Sequence, residues 1–306
     1  MTYIFVLKGI YFMKEILFKG VGTAIATPFT DNGINFEEFG KLLEFQIEKG
    51  VNAIIVCGTT GESATMSLDE KKELLNFTVG KVQRRVPIIA GTGSNCTSSV
   101  IELSQYAESI GIDGLLIVTP YYNKTTQNGL ISHYCKIAES VSLPIILYNV
   151  PSRTGVNISP ETCFELSKIS NIVAIKEASG DISQVAKIAH LCGDNLNIYS
   201  GNDDQILPVL SIGGIGVISV LSNIAPKYTC EMVESFFEGN YYISKRMQLK
   251  ALPLIKSLFS EVNPIPVKHA LNLKGYNFGI PRLPLVTLNK EHSEILEREM
   301  KEFGLI

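Results

Sequence analysis

No two of the six cysteines (Cys57, Cys96, Cys135, Cys163, Cys192, Cys230) fall within a C-x-x-C spacing. Zinc ribbons and redox dithiols need ligands that close together, so these residues read as buried free thiols in an intracellular, cytoplasmic protein. The four histidines (His133, His190, His269, His292) form no H-x-H or H-x-x-x-H pair, so no metal site is expected. An uncharged apolar run of about 18 residues, the minimum for a spanning helix, is also missing, and no membrane association is expected. The opening stretch MTYIFVLKGIYFMKEILFK is apolar but broken by Lys8 and Lys14. It does not offer the basic start, apolar middle and small cleavage residues of a secretory signal in that order. Residues 1–19 therefore read as an N-terminal extension, with Met13 the expected true start. The net charge is only −3, with both signs interleaved and no basic stripe, which excludes a nucleic-acid partner.

What is present is a large apolar inventory. At 306 residues and 45% hydrophobic, the chain can bury roughly three quarters of the surface its unfolded form exposes. From Val21 onward, short β-branched runs alternate with helical-period stretches. The runs are 21–29, 53–58, 87–93, 114–120, 144–150, 172–179, 197–202 and 216–220. They are continuous rather than alternating, as parallel strands buried on both faces require. Between them, Phe36, Phe39, Leu43 and Ile47 share one helical face, as do Val100, Leu103, Ala107 and Ile110. Ser67 with Glu70 and Asp181 with Gln184 read as capping boxes, and Ser159-Pro160 as a helix start. The count of strand–helix units is that of an α/β protein of the TIM (β/α)8 barrel type. The competing doubly wound sheet usually carries a Gly-rich phosphate turn after its first strand, and TPFTDNG is not one. Residues 20–239 are assigned to the barrel. Residues 240–306, with helical stretches at 243–259 and 291–303, are assigned to a C-terminal helical appendage.

In such a barrel, functional groups project from the C-terminal ends of the strands. Lys176 lies inside the sixth run, VAIKEAS, where an ammonium ion is costly. Burial disfavours the charged form, which is how a lysine becomes a nucleophile. The bland alternative pairs it with Glu177, but strand neighbours point to opposite faces. Tyr148 lies in the neighbouring fifth run and can move protons for an amine, or simply fill the core. Gly58-Thr59-Thr60-Gly61-Glu62 closes the second run. Its successive N–H groups can cradle a carboxylate, and the Thr59 hydroxyl can extend a relay from Tyr148, unless the segment is an ordinary strand-to-helix turn. Arg153 sits at the mouth, where its planar fork suits a substrate carboxylate; a solvated loop arginine is the alternative.

The combination narrows these choices. GTTGES at 58–63, TPYYNK at 119–124, YNVPSRTG at 148–155, IKEASG at 175–180, GNDD at 201–204 and NPIPVKHAL at 263–271 resemble, in order, the motifs of the pyruvate-dependent class I aldolase family that includes N-acetylneuraminate lyase. The resemblance runs from about Gly20 to the end of the chain. It implies that Lys176 forms a Schiff base with pyruvate and that no other cofactor is needed. It also implies a proton relay of Tyr148, Thr59 and Tyr122, the last reaching in from a neighbouring subunit of a homotetramer built as a dimer of dimers. Thr60 would help hold the pyruvate carboxylate, and Gly201 and Ile218 would line its pocket. Arg153 would hold the carboxylate of L-aspartate 4-semialdehyde, which points to the branch serving diaminopimelate and lysine biosynthesis. The sialic acid lyases and 2-keto-3-deoxy sugar acid aldolases, which usually carry other residues there, are the alternative, and a non-catalytic keto-acid sensor is a third. Members of the family inhibited by lysine line an effector pocket with residues matching Ser63, Ala64, Asn95 and Tyr121, plus histidines and a glutamate. Here those last positions hold Leu68, Lys71 and Ser99, which implies weak or absent feedback by L-lysine.

Overall fold

The computed structural model describes residues 14–306; the expected start at Met13 lies outside the described residues. Eight parallel strands close into a barrel: β1 (Gly20–Ala24), β2 (Ala53–Val56), β3 (Ile88–Gly91), β4 (Gly114–Val118), β5 (Ile145–Asn149), β6 (Ile172–Glu177), β7 (Asn197–Ser200) and β8 (Gly216–Ser219). Each overlaps one of the runs read from the sequence. β1 pairs with both β2 and β8, which closes the ring and leaves no strand edge.

The continuous apolar runs have a direct cause in this geometry. Successive side chains alternate between two buried environments. Ile54, Ile145, Leu147 and Ile175 pack outward beneath the helices, while Ile55, Ile89, Leu116 and Ile146 fill the interior. The helix Phe36–Glu48 buries Phe39 and Leu43 against that outer layer, and Thr97–Ser109 buries Val100, Leu103 and Ala107. Ser67 and Glu70 form the expected reciprocal capping box, and Ser159 caps a helix with Pro160 in its first turn. The second expected box is only half made. Asp181 accepts from the amides of Ser183 and Gln184, but the Gln184 side chain turns to Asn157 and Glu177 instead of back to the cap.

Three helices, Tyr241–Leu258, Ile265–Leu273 and Lys290–Phe303, follow the barrel. Their buried residues Ala251, Leu254, Leu271, Leu296 and Met300 belong to the same apolar cluster as the outer faces of the strands. No helix among the described residues is long and apolar enough to cross a membrane. Cys57, Cys163, Cys192 and Cys230 are buried free thiols. The uniform reading of the cysteines needs correction, because Cys96 is exposed and Cys135 half-buried. Cys96 is the residue preceding the helix Thr97–Ser109, a solvated corner instead of a core-facing turn.

The segment just upstream of β1 plugs the N-terminal end of the barrel. The Phe18 ring stacks on Tyr199 with centroids 4.3 Å apart, and the Tyr199 hydroxyl donates to the Phe18 carbonyl at 2.6 Å. Gly22 makes room for it, since a Cβ there would stand 2.7 Å from the Phe18 ring. Phe18→Ala is expected to lower unfolding stability by about 3–5 kcal/mol through lost burial and a residual cavity. Phe18→Leu should retain most of it. Chemical denaturation of both variants checks this, and equal stability of Phe18→Ala and the parent chain would show that the plug contributes nothing.

Candidate active site

Tyr148 and Lys176 stand opposite each other in the β5–β6 register. Lys176 shares the inward parity of Ala174, and Glu177 takes the outward one. The Glu177 carboxylate accepts from Asn149 Nδ2 at 2.9 Å, the Ser179 amide at 2.7 Å and Gln184 Nε2 at 3.3 Å. Burial pushes its pKa up in spite of those donors. The alternative pairing of Lys176 with Glu177 is therefore absent, and Lys176 joins no ion pair among the described residues. Lys176 is 5% exposed, and its Nζ rests 4.4 Å from the centroid of the Tyr148 ring, itself buried. A cation over a tyrosine face is held by the ring quadrupole, a far weaker partner than a carboxylate. Ile218 is buried in the same interior cluster as Tyr148.

After β2 the chain enters the left-handed region at Cys57 and again at Glu62, each with φ 56°. Residues without glycine's freedom adopt this conformation only where the surroundings enforce it. Gly91 makes room for the turn at Cys57, since a Cβ there would meet the Cys57 carbonyl oxygen at 2.2 Å. Between the two strained residues, the Gly61 amide donates to Gly58 O and the Glu62 amide to Thr59 O, both at 3.1 Å. The amides of Thr59 and Thr60 donate to no backbone acceptor among the described residues. Successive amides left without a backbone acceptor in such a turn can receive an anion. Thr60 is buried, and its hydroxyl oxygen accepts from Asn263 Nδ2 at 3.0 Å.

Arg153 lies in the single helical turn Pro151–Thr154 after β5 and donates to the Asn263 carbonyl at 3.2 Å. With Thr59, Tyr121, Val150 and Asn263 it lines a cavity of about 310 Å³. The effector positions Ser63, Ala64 and Lys71 open onto this same cavity. A larger cavity of about 570 Å³ lies over the ends of β6 and β7, lined by Ser152, Ala178, Asn202 and Asp203. Gly201 closes β7, its amide donating to Glu177 O at 2.8 Å; a Cβ there would lie 2.6 Å from Ala178 Cβ. Asp203 is fully buried and accepts the amides of Val220 and Leu221, each at 2.9 Å. Burial raises its pKa, and the charge of Lys176 opposes that rise.

Of the residues singled out from the sequence, Lys176 and Tyr148 meet inside the barrel, whose interior cluster also holds Ile218, while Thr59 and Arg153 line the smaller cavity. Thr60 and Gly201 shape the backbone nearby. The relay is not assembled in this chain. The tyrosine hydroxyls that hydrogen-bond belong to Tyr106, Tyr134, Tyr199 and Tyr228, so none joins Tyr148 to Thr59 among the described residues. Tyr122 is 91% exposed, on a left-handed backbone. The reading from residue chemistry gave Asn263, Glu62 and Lys268 no role. Their signal was present in GTTGES and NPIPVKHAL, but no local rule says that segments this far apart in the chain meet.

The fold and its mouth define an enzyme of class I aldolase type, a lyase. The profile of the dihydrodipicolinate synthetase family matches residues 17–303. A 4-hydroxy-tetrahydrodipicolinate synthase of Caldicellulosiruptor saccharolyticus is 58% identical over 290 residues, covering 94% of this chain and 98% of its own. One from Clostridium perfringens is 56% identical, covering 95% and 100%. The crystal structure of dihydrodipicolinate synthase from Thermotoga maritima superposes with a TM-score of 0.93 at 46% identity, covering 95% of this chain and 100% of that one. The chain belongs to the dihydrodipicolinate synthetase family.

The raised pKa of Glu177 has a consequence for stability. An acid whose folded pKa is raised holds its proton more tightly when folded, so its contribution falls as pH rises through that pKa. Glu177→Gln cannot ionise. Its melting midpoint relative to the parent chain is expected to rise between mildly acidic and neutral pH. A difference that stays constant, or falls, across that range would contradict the assignment.

Proposed function

We propose that this chain is a 4-hydroxy-tetrahydrodipicolinate synthase, condensing pyruvate with L-aspartate 4-semialdehyde through an imine on Lys176. The observation that carries the proposal is the buried Lys176 amine, without an ion-pair partner among the described residues and seated on the Tyr148 ring. The neutral amine attacks the pyruvate ketone, and loss of water gives the imine. Loss of a methyl proton then gives an enamine, whose carbon attacks the aldehyde carbon of the second substrate while the aldehyde oxygen takes up a proton. The substrate's own amino group next attacks the imine carbon, closes the ring and expels the lysine. The covalent intermediate divides one carbon–carbon bond formation into smaller steps and supplies the electron sink, so no further cofactor enters.

The Thr59 and Thr60 amides receive the pyruvate carboxylate, Gly201 and Ile218 border it, and Arg153 takes the carboxylate of the semialdehyde. Tyr148 moves protons at the amine and carbonyl, with Thr59 and a neighbouring subunit's Tyr122 completing the relay on assembly. An aromatic ring this exposed on a left-handed backbone favours that role and so an assembly of at least two copies; a homotetramer acting in the cytoplasm in diaminopimelate and lysine biosynthesis fits the relatives' activity. The Lys71 cation, lining the cavity with Ser63, Ala64 and Tyr121, disfavours an ammonium effector there.

Borohydride reduction in the presence of pyruvate is expected to leave a pyruvyl adduct on Lys176, located by peptide mass analysis and missing in Lys176→Ala. Tyr148→Phe should lower kcat by roughly 10²-fold or more, and Arg153→Ala should raise KM for the semialdehyde while sparing pyruvate. Cleavage of N-acetylneuraminate without condensation of the semialdehyde would overturn the proposal. L-lysine is expected to inhibit weakly or not at all in steady-state assays; inhibition at sub-millimolar lysine would contradict the reading of Leu68, Lys71 and Ser99.

A further inference from the structure

A second buried lysine lies in the C-terminal segment. Lys268, on the helix Ile265–Leu273, is 0% exposed, and its Nζ donates to Glu62 Oε1 at 2.7 Å and to the Ile280 carbonyl at 3.3 Å. The other Glu62 oxygen accepts the Arg282 amide at 2.8 Å. The Phe29 ring lies under both cations, with Lys268 Nζ 4.5 Å and the Arg282 guanidinium 3.9 Å from its centroid. Arg282 in turn is held by both oxygens of Glu70, at 2.9 and 2.6 Å. Burial lowers the Lys268 pKa; Glu62 opposes that and Arg282 adds to it.

An ion pair this dry gains little net stability, because desolvation of both charges offsets their attraction. Its position is more informative. Glu62 is the left-handed residue at the far end of the turn that presents the Thr59 and Thr60 amides. Asn263, just upstream of the same helix, donates to the Thr60 hydroxyl. One C-terminal segment therefore grips the turn at two points, and at the Glu62 point the grip is a charged, fully desolvated bond with a fixed direction.

We propose that Glu62 and Lys268 are positioning residues for the pyruvate carboxylate: their buried pair fixes the Thr59–Thr60 amides in the orientation that receives it. The C-terminal segment thereby completes the substrate site in addition to covering the barrel. This inference rests on the reading that those amides bind pyruvate. Pairs that serve only the fold would, on removal, lower the melting temperature and leave substrate saturation alone. A positioning pair acts on KM.

The test uses the full chain carrying Glu62→Gln or Lys268→Met, and reads pyruvate saturation of both borohydride trapping and turnover across pH. Glu62→Gln leaves an uncompensated ammonium, so half-saturating pyruvate is expected to rise about tenfold near neutral pH and to recover as pH rises and the amine loses its proton. Lys268→Met removes the same pair from its other side, leaves an uncompensated carboxylate, and should likewise raise half-saturating pyruvate. In both, kcat at saturating pyruvate should stay within about threefold. Should Lys268→Met fail to fold, the near-isosteric Glu62→Gln decides alone. Folded variants with unchanged half-saturation, or with lower kcat at unchanged half-saturation, overturn the proposal. A parent chain that forms no adduct overturns the reading beneath it as well, so the two failures are told apart.

Discussion

An amine buried in the barrel, with no carboxylate bound to it among the described residues, is the constraint around which this molecule is organised. Such a group is costly to bury. The barrel makes it tolerable in two ways: an aromatic face lies against the nitrogen, and a buried carboxyl, Asp203, stands within electrostatic reach while bound to backbone amides. The strand alternation that turns Lys176 inward also turns Glu177 out, where Asn149, Ser179 and Gln184 occupy it. Without those donors, Glu177 would be a buried carboxyl with no partner. The strand therefore keeps the amine and its acidic sequence neighbour in separate environments.

The chain holds two lysines in nearly identical isolation from water and treats them oppositely. Lys268 has its counter-ion at 2.7 Å, and Lys176 has none among the described residues. A paired charge is fixed in place and chemically quiet, whereas an unpaired one is available to react. Burial alone therefore says little about which lysine does chemistry.

Much of this was legible in the sequence, for identifiable reasons. Continuous apolar runs imply strands covered on both sides, and all eight recur as barrel strands because closure against helices is what covers them. Lys176 stood out because a charge inside such a run breaks its pattern. Lys268 broke no pattern: on an amphipathic helix a lysine looks like a solvated face, and only the fold reveals that Glu62 awaits it. Gln184 misled for a related reason, since its spacing suited a local cap while a longer-range partner, Asn157 at 2.7 Å, made the stronger claim. Phe18 lay upstream of the recognisable strand pattern, and nothing local indicates that it seals the barrel. Tyr122 is the opposite case, a residue to which the fold of a single chain gives no packing at all.

The closure of the barrel has a temporal side. β1, from Gly20 to Ala24, takes one of its two neighbours, β2, from the residues that follow, but the other, β8, only from Gly216 onward. During synthesis the first strand therefore emerges with one edge bare and stays so through most of translation. The grip on the Thr59–Thr60 turn comes later still, from residues 263 and 268. A nascent chain has most of its hydrophobic mass before it has a closed ring, and a ring before it has a finished binding site. The interval in which it is sticky yet inactive is set by the order of its segments, and this is the interval in which a chaperone would have something to hold.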